Sequence, residues 1–510
     1  MTRRIEVVGQ LGVTPLTAAQ ITTLHESATP VTTRHGDTFT GRPSTHLLVT
    51  DSHIIKLRTE YQLKEKDARR FIDQALQRER RLGIYHPSKT WFLIFDDEQE
   101  FPLIANITAR LVPLNDLDQL TPPIDAARYI ELLGEMFHLY LQIAAQHELA
   151  LDISLSNFAL DQQRKLYYID DDVYAWDQFT TLSHYLGVLL RTQERIDTDA
   201  ARQLGTSLRH SLLDAFDDKL WLNVVAEEAR SLFMTEPRKE AMRALVKALT
   251  ATSSTIRQKS ELPASTVVAL LADIHANAPA LEAVLNYLQQ RNITDILVLG
   301  DIVGYGPHPQ QCIDMLRALP NARSVQGNHD HAVASQHYSL GFSPFSRWVI
   351  EWTIARLAQE AIDWLDNLPL YLQGEKWIAV HGAPNDKTFF NAYVYEMTYE
   401  DNLANLETRA LQYCFHGHTH LQKVYYRTRL QDQQSTAARQ RLRDYERALV
   451  CPGSVGQPRN GKPGAQLALL DMATTELEFV TLDYKLDSTL HDMRIHNFPL
   501  VLIDRLKNGR

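Results

Sequence analysis

Val267–Asn277 reads VVALLADIHAN, and the fold of half the chain turns on that stretch. Val267–Ala272 is a short apolar run suited to a buried strand, and it stops on Asp273-Ile274-His275. The same event recurs downstream. ILVLG (Ile296–Gly300) ends on Asp301, and SVQG ends on Asn328-His329-Asp330. WIAV ends on His381-Gly382, and YCFH ends on Gly417-His418-Thr419-His420. One histidine beside an apolar run is usually a packed or surface residue. Five successive strand ends carrying Asp, His or Asn are not explained by packing, because buried carboxylates and imidazoles are costly unless paired or metal-bound. Gly300, Gly327 and Gly417 suit a backbone that turns sharply at such ends. Between the runs, ALEAVLNYLQQ places Leu281, Val284, Leu285 and Leu288 at helical spacing, and CIDMLRAL reads as a second helix. KVYYRTR, QLALLDM and LEFVTL read as later, antiparallel strands. The alternation predicts an α/β sandwich of four layers (αββα) over residues 266–510. Ligands in such sheets collect beyond the carboxyl ends of the strands.

The ordered set D-x-H, GD, GNHD, HG, GHTH resembles the calcineurin-like metallophosphoesterase superfamily. GDIVGYGPHPQQC (Gly300–Cys312), CPGSVGQPR (Cys451–Arg459) and the ending FPLVLIDRLKNG resemble its compact prokaryotic phosphodiesterase branch. The family's usual DxHGN start is DIHAN here, with Ala276 for Gly. The resemblance implies a two-metal site. Asp273, His275, Asp301 and His420 would hold one ion, and Asp301, Asn328, His381 and His418 the other. Mixed nitrogen and oxygen ligation suits Mn2+, Fe or Zn2+. Two such ions hold a hydroxide and polarise phosphoryl oxygens. His329 would protonate the leaving alkoxide, with Asp330 orienting its ring. Asn277 is expected either at the phosphate or in support of the first loop. His416 is expected in a loop, and His331 and His308 at the cleft rim.

The first half is less regular. DSHIIKLR (Asp51–Arg58) reads as a turn and a strand presenting Lys56, and DARRFIDQALQRERRLG as an amphipathic helix carrying Glu79. RYIELLGEMFHLYLQIAAQHEL reads as a long helix, followed by ALDISLSNFALDQQRKLYYIDDDVY (Ala150–Tyr174). That last segment resembles the catalytic region of the protein kinase-like fold, including its aminoglycoside-phosphotransferase-like members. Asp152 and Asn157 carry the spacing of base and metal-binding Asn, and Asp170 follows at the place of the metal-binding Asp. The resemblance implies an α+β kinase-like domain over residues 1–250 that binds ATP and Mg2+, with Lys56 pairing Glu79 and the nucleotide phosphates. It departs from the family in having Ala150-Leu151 before Asp152 and Asp170-Asp171-Asp172 in place of DFG. RHGDTFTG (Arg34–Gly41) is its only candidate glycine-rich loop, and no P-loop motif occurs.

ATSSTIRQKSELPAS (Ala251–Ser265) is polar, aperiodic and Pro-ended, so residues 251–265 are expected to link the halves. Residues 431–447, QDQQSTAARQRLRDYER, are expected to be a solvated insertion between strands. The composition of the 510 residues is globular, with 44% hydrophobic and 22% charged residues. A net charge of −10 disfavours broad binding to nucleic acid or anionic membrane. Three cysteines make no disulfide framework or zinc ribbon, and no secretory or membrane-spanning run is evident, so a reducing, cytoplasmic setting is expected. The expected partner is a phosphorylated substrate, whether nucleotide, nucleic-acid end or phosphoprotein. The readings in play are a bifunctional kinase-phosphatase, a nucleic-acid end-healing enzyme, a nucleotide hydrolase with an inactive kinase-like regulatory domain, and a non-enzymatic scaffold.

Overall fold

A computed structural model describes residues 4–13, 16–31, 45–251, 257–259, 267–336 and 342–510. The chain divides into two units, Met1–Ala251 and Thr252–Arg510. The candidate glycine-rich loop at residues 34–41 lies outside the described residues.

The first unit opens with a six-stranded antiparallel sheet. Its spatial order is Arg4–Gln10, Thr90–Phe95, Leu103–Ala109, His53–Arg58, Thr45–Val49, Thr29–Val31. The helix Glu65–Leu82 lays Ala68, Ile72, Ala75 and Leu76 on one face, against Trp91, Leu93 and Ile104. Those residues recur at helical spacing, so the charged positions between them face water. Gly83, left-handed at φ 65°, ends this helix. Ile21 packs on the opposite face with Ile55, Phe92 and Ile107. A helical part follows. Its longest member, Ala126–His147, is capped by the Asp125 carboxylate, which accepts from Arg128 N at 2.7 Å.

The second unit holds a seven-stranded and a six-stranded sheet. Val267–Leu271 runs parallel to Asp295–Val298, and that strand runs parallel to Ala322–Ser324. Ala465–Asp471 closes on Val267–Leu271 antiparallel. In the other sheet, Trp377–Val380, Tyr413–Phe415 and Arg447–Pro452 are mutually parallel. Alternate residues of the central strands face opposite ways. Val268, Leu270, Leu297, Ala379, Phe415 and Val450 meet between the sheets. Ala269, Leu271, Ile296 and Val298 face the helices Ala278–Gln290 and Pro309–Arg317 on the outside. Carboxyl ends of strands from both sheets thus deliver the polar residues to one place.

Two sequence expectations change. Arg257–Lys259, within the expected linker, forms an edge strand parallel to Tyr371–Gln373 and belongs to the second unit. The polar insertion is itself built around two short strands, with a short 3-10 turn at Leu442–Asp444. Asp432–Ser435 pairs with Gln422–Arg427 in one sheet, and Arg439–Arg441 pairs with Glu476–Leu482 in the other. It is also anchored, because Leu442 is fully buried. All three cysteines are buried and free. Among the described residues, no helix is long and apolar enough to cross a membrane.

Candidate metal centre

Seven side chains singled out at the strand ends converge in the second unit. Asp273, His275 and His420 form one buried cluster, and Asp301, His381 and His418 form another. In the first, His420 Nε2 lies 3.2 Å from Asp273 Oδ1 and 3.3 Å from His275 Nε2. In the second, His381 Nε2 lies 3.0 Å from His418 Nδ1, 3.1 Å from Asn328 Oδ1 and 3.3 Å from Asp301 Oδ2. Asp301 Oδ2 is also 3.6 Å from His275 Nε2, so this carboxylate stands between the clusters. Ligands bonded at ~2.1 Å around one ion sit roughly 3.0–3.5 Å apart, the spacing found here.

Outer hydrogen bonds fix which imidazole nitrogens point inward. The Nδ1–H groups of His275, His381 and His420 donate to the carbonyls of Val303, Leu299 and Gln457, at 3.2, 2.7 and 2.5 Å. The Nε2 atoms of these rings therefore turn lone pairs on one another and on carboxylate and amide oxygens. A single proton relieves one such contact; a cation at the centre of each cluster satisfies all of them. The donor chemistry thus fits a pair of divalent ions.

The backbone is bent to make this possible. Asp273, His275, Asp301, His418 and His420 all have positive φ, between 48° and 67°. Such conformations cost of order 1–3 kcal/mol each and persist only where the surroundings enforce them. Here the loops enforce one another: His275 N donates to the Asp301 carbonyl at 2.9 Å, and Gly417 N to the His381 carbonyl at 2.8 Å. Gly327 is required for a different reason, since a Cβ there would lie 2.2 Å from Asp301 Oδ1.

Charge in the site is strongly biased. Burial opposes a proton on His381, but the Asp301 carboxylate outweighs it and holds the ring up at about 9. Burial pushes His329 down to about 4. Burial, with Asp301 adding, lifts Asp330 to about 7. Asp330 does not orient the His329 ring as expected. Its Oδ1 accepts from Ile302 N and Val303 N at 2.9 and 3.0 Å, and its Oδ2 accepts from Gly327 N at 3.0 Å. It staples two ligand loops together. His329 donates its backbone N–H to Asp301 Oδ1 at 2.9 Å, and its ring rests on Tyr305 and Phe342.

A pocket of about 150 Å³ opens on Asp301, Asn328, His329, His418 and His420. Asn277 does not line it. Its amide is used up by Gly456 O, Tyr484 and Thr489, which places it in support of the first loop. His308 instead meets Asp492 at 3.0 Å, His331 packs at a tilt against Phe390, and His416 is buried beside Gly417 O. Sequence reasoning missed Tyr393 and Arg459 as pocket residues. Arg459 closes the quoted CPGSVGQPR segment, a signal that was present; Tyr393 had none.

In the first unit, Asn157 Nδ2 donates to the Asp152 carbonyl at 3.1 Å, Ile169 N to the Asn157 carbonyl at 2.8 Å, and Lys56 Nζ to the Ile169 carbonyl at 2.5 Å. Asp152, Asn157, Asp170 and Lys56 are thus neighbours. Burial raises the carboxyls of Asp152 and Asp170. The expected Lys56–Glu79 pair does not form. Glu79, 1% exposed, accepts from Lys89 Nζ at 2.7 Å and Trp91 Nε1 at 2.9 Å. Asp171 is the hub instead, with Lys89 Nζ at 2.5 Å, Arg58 Nη1 at 3.0 Å and Lys56 Nζ at 3.8 Å.

Comparison with known proteins agrees with the geometry of the second unit. A calcineurin-like phosphoesterase superfamily domain matches residues 267–475. An uncharacterised protein of Methanocaldococcus jannaschii is 32% identical over 248 residues, 48% of this chain and 98% of that protein. The crystal structure of a metallophosphoesterase from Sphaerobacter thermophilus is 32% identical and covers 48% of this chain and 100% of that one, with a TM-score of 0.42. A hypothetical protein from Pyrococcus horikoshii OT3 is 22% identical over 48% of this chain and 99% of that one, with a TM-score of 0.41. The chain belongs to the calcineurin-like phosphoesterase superfamily through its second half. Membership supports a metal-dependent hydrolase acting on phosphorylated substrates.

Proposed function

We propose that the second unit is a two-metal phosphoesterase that hydrolyses a phosphomonoester or phosphodiester. The observation that carries this is the convergence of lone pairs from seven side chains on two adjacent points, with Asp301 between them. Asp273, His275, Asp301 and His420 would hold one divalent ion, and Asp301, Asn328, His381 and His418 would hold the other; Mn2+, Fe and Zn2+ all suit the donors. Ions so held supply a nucleophile at neutral pH and draw charge from the phosphoryl oxygens. The chain's own groups do the rest. Asp301 Oδ1 fixes the His329 backbone, and Tyr305 and Phe342 hold the ring at the pocket wall, where it would deliver a proton to the departing oxygen once the substrate's negative charge draws one onto it. Asp330 keeps the two loops in register for that transfer. The test is metal analysis of the purified chain beside a panel of chromogenic monoesters and diesters, nucleotides, end-labelled oligonucleotides and phosphopeptides. Two ions per chain and metal-dependent turnover of one class are expected. No bound metal and no turnover at saturating Mn2+ would refute the assignment.

For the first unit we propose a kinase-like domain that binds ATP and Mg2+. The neighbouring Lys56, Asp152, Asn157 and Asp170 support it. The Lys89–Glu79 pair weighs against active phosphotransfer and favours a regulatory role, because Glu79 has no free oxygen to position Lys56. Thermal stabilisation by millimolar ATP and Mg2+, lost in Lys56→Ala and Asp170→Ala, is the check; no shift would reduce the likeness to fold alone.

A further inference from the structure

The loop Gly453–Arg459 is tied to the metal-ligand backbone at several points. Ser454 Oγ donates to the Asp273 carbonyl at 2.7 Å, and Gly456 N donates to the same oxygen at 3.0 Å. The Gln457 carbonyl accepts from His420 Nδ1 at 2.5 Å, and Arg459 N donates to the His420 carbonyl at 3.3 Å. A loop so braced delivers the Arg459 side chain to a set position. That side chain is half-buried, lines the pocket over the two clusters, and is the only Lys or Arg that does so among the described residues. Its field reaches His275, His329 and His418. The pocket's one carboxylate, Asp301, faces His275 and His381 instead. The guanidinium lies beside the Tyr393 hydroxyl and opposes the effect of burial on it, and the Tyr393 ring stacks on His418 with centroids 3.9 Å apart.

A half-buried guanidinium without a carboxylate partner is costly unless an anion completes it. Its planar fork matches the oxygens of a phosphoryl group and donates to two of them at once. We propose that Arg459 binds the phosphoryl oxygens of the substrate in the pocket over the two clusters, and that Tyr393 aims it there. The assignment rests on the phosphoesterase reading of the same pocket. Arg459 touches the substrate; Tyr393 is a positioning residue.

The test uses the Mn2+-loaded full chain and orthophosphate as probe, followed by titration calorimetry, with the bound ions counted in every sample. Arg459→Ala and Arg459→Gln should weaken orthophosphate about 10–100-fold, the range for losing a charge-assisted hydrogen bond. Arg459→Lys, which keeps the charge and loses the fork, should fall between. Tyr393→Phe should weaken it about 2–5-fold and raise KM by a similar factor with little change in kcat. All variants should keep two ions per chain. Orthophosphate binding within twofold of wild type in fully loaded Arg459→Gln would overturn the proposal. So would loss of ions from both Arg459→Gln and Arg459→Lys, since Arg459 would then be a brace for the ligand loop. If the wild-type chain cleaves no ester and Arg459→Gln still weakens orthophosphate, the hydrolase reading falls and the anion site stands. If the wild type cleaves an ester and orthophosphate binding is unmoved, only the Arg459 assignment falls.

Discussion

Asp301→Asn separates metal binding from fold. The side chain keeps its shape, and its Oδ1 can still accept from His329 N. The new NH2 takes the place of Oδ2, facing His275 Nε2 at 3.6 Å and His381 Nε2 at 3.3 Å. His275 offers a lone pair, and His381, without the carboxylate that holds its proton, becomes neutral and offers a second, so the amide donates in place of the lost ion pair and the apo fold is kept. The ions lose instead. At ~4 Å and an effective dielectric constant of about 20, a unit charge against a divalent ion is worth about 8 kcal/mol. If the amide dipole restores half of that, each ion is still weakened by about 4 kcal/mol, roughly 10³-fold. The assay is equilibrium dialysis against Mn2+ with elemental analysis, beside turnover of a chromogenic ester. The expected result is loss of both ions at micromolar metal, turnover at background, and an unchanged melting transition in the presence of chelator. Two ions bound at wild-type affinity, with turnover within tenfold of wild type, would refute the shared-ligand argument.

His329→Gln should keep both ions and lower kcat by about 10²–10⁴ for an alkyl phosphate ester. For a nitrophenyl ester, whose leaving group needs no proton, the loss should be much smaller; equal losses on both would remove His329 as proton donor. Chelation should lower the melting temperature of the second unit and leave the first unmoved. A wild type whose two transitions ignore chelator holds no ion worth about 2 kcal/mol or more. Asp171→Ala leaves Lys89 with Glu79 alone and Arg58 with Glu60 and Asp172, at 3% exposure. That should cost the first unit about 3–5 kcal/mol, or about 6–20 °C in its melting temperature, seen by calorimetry. Burial opposes charge on Asp171, but Lys56, Lys89 and Arg58 outweigh it and hold the carboxyl well below its ordinary value. Its stabilisation is therefore complete above pH ~4 and fades as pH falls below that, a component the variant should lack.

The strand ends of the second unit were legible because each couples two independent signals. An apolar run specifies a buried strand, and an abrupt Asp, His or Asn specifies what its carboxyl end presents. Asp273, Asp301, Asn328, His381, His418 and His420 all sit just past such runs, and the sheets bring them together. What the chain order could not convey was contact between loops. Asp330 is adjacent to His329 in sequence, so it suggested a partner for that ring; its carboxylate instead reaches back to Ile302 and Val303. The polar insertion misled for a similar reason. Alternation is weak in QDQQS, and edge pairing in two different sheets leaves no mark on composition.

The first unit fails differently, and its failure bears on function. Lys56 and Glu79 were matched through the kinase-like resemblance, and the structure does put one on a strand and the other on the helix after it. Pairing needs more than the right elements. Lys89 lies just ahead of the strand Thr90–Phe95, is 3% exposed, and reaches both Glu79 and Asp171. A fully desolvated ammonium must take two anions to be tolerable, so Lys89 outcompetes Lys56, which is 20% exposed and can fall back on water. Lys56 is left to the Ile169 carbonyl and a distant Asp171. Any nucleotide phosphate that draws Lys56 away breaks only those contacts, while the buried Lys89–Glu79–Asp171 network stays intact. If the first unit is the kinase-like domain proposed above, the network that occupies Glu79 leaves Lys56 available for binding without positioning it for transfer, an arrangement that suits sensing.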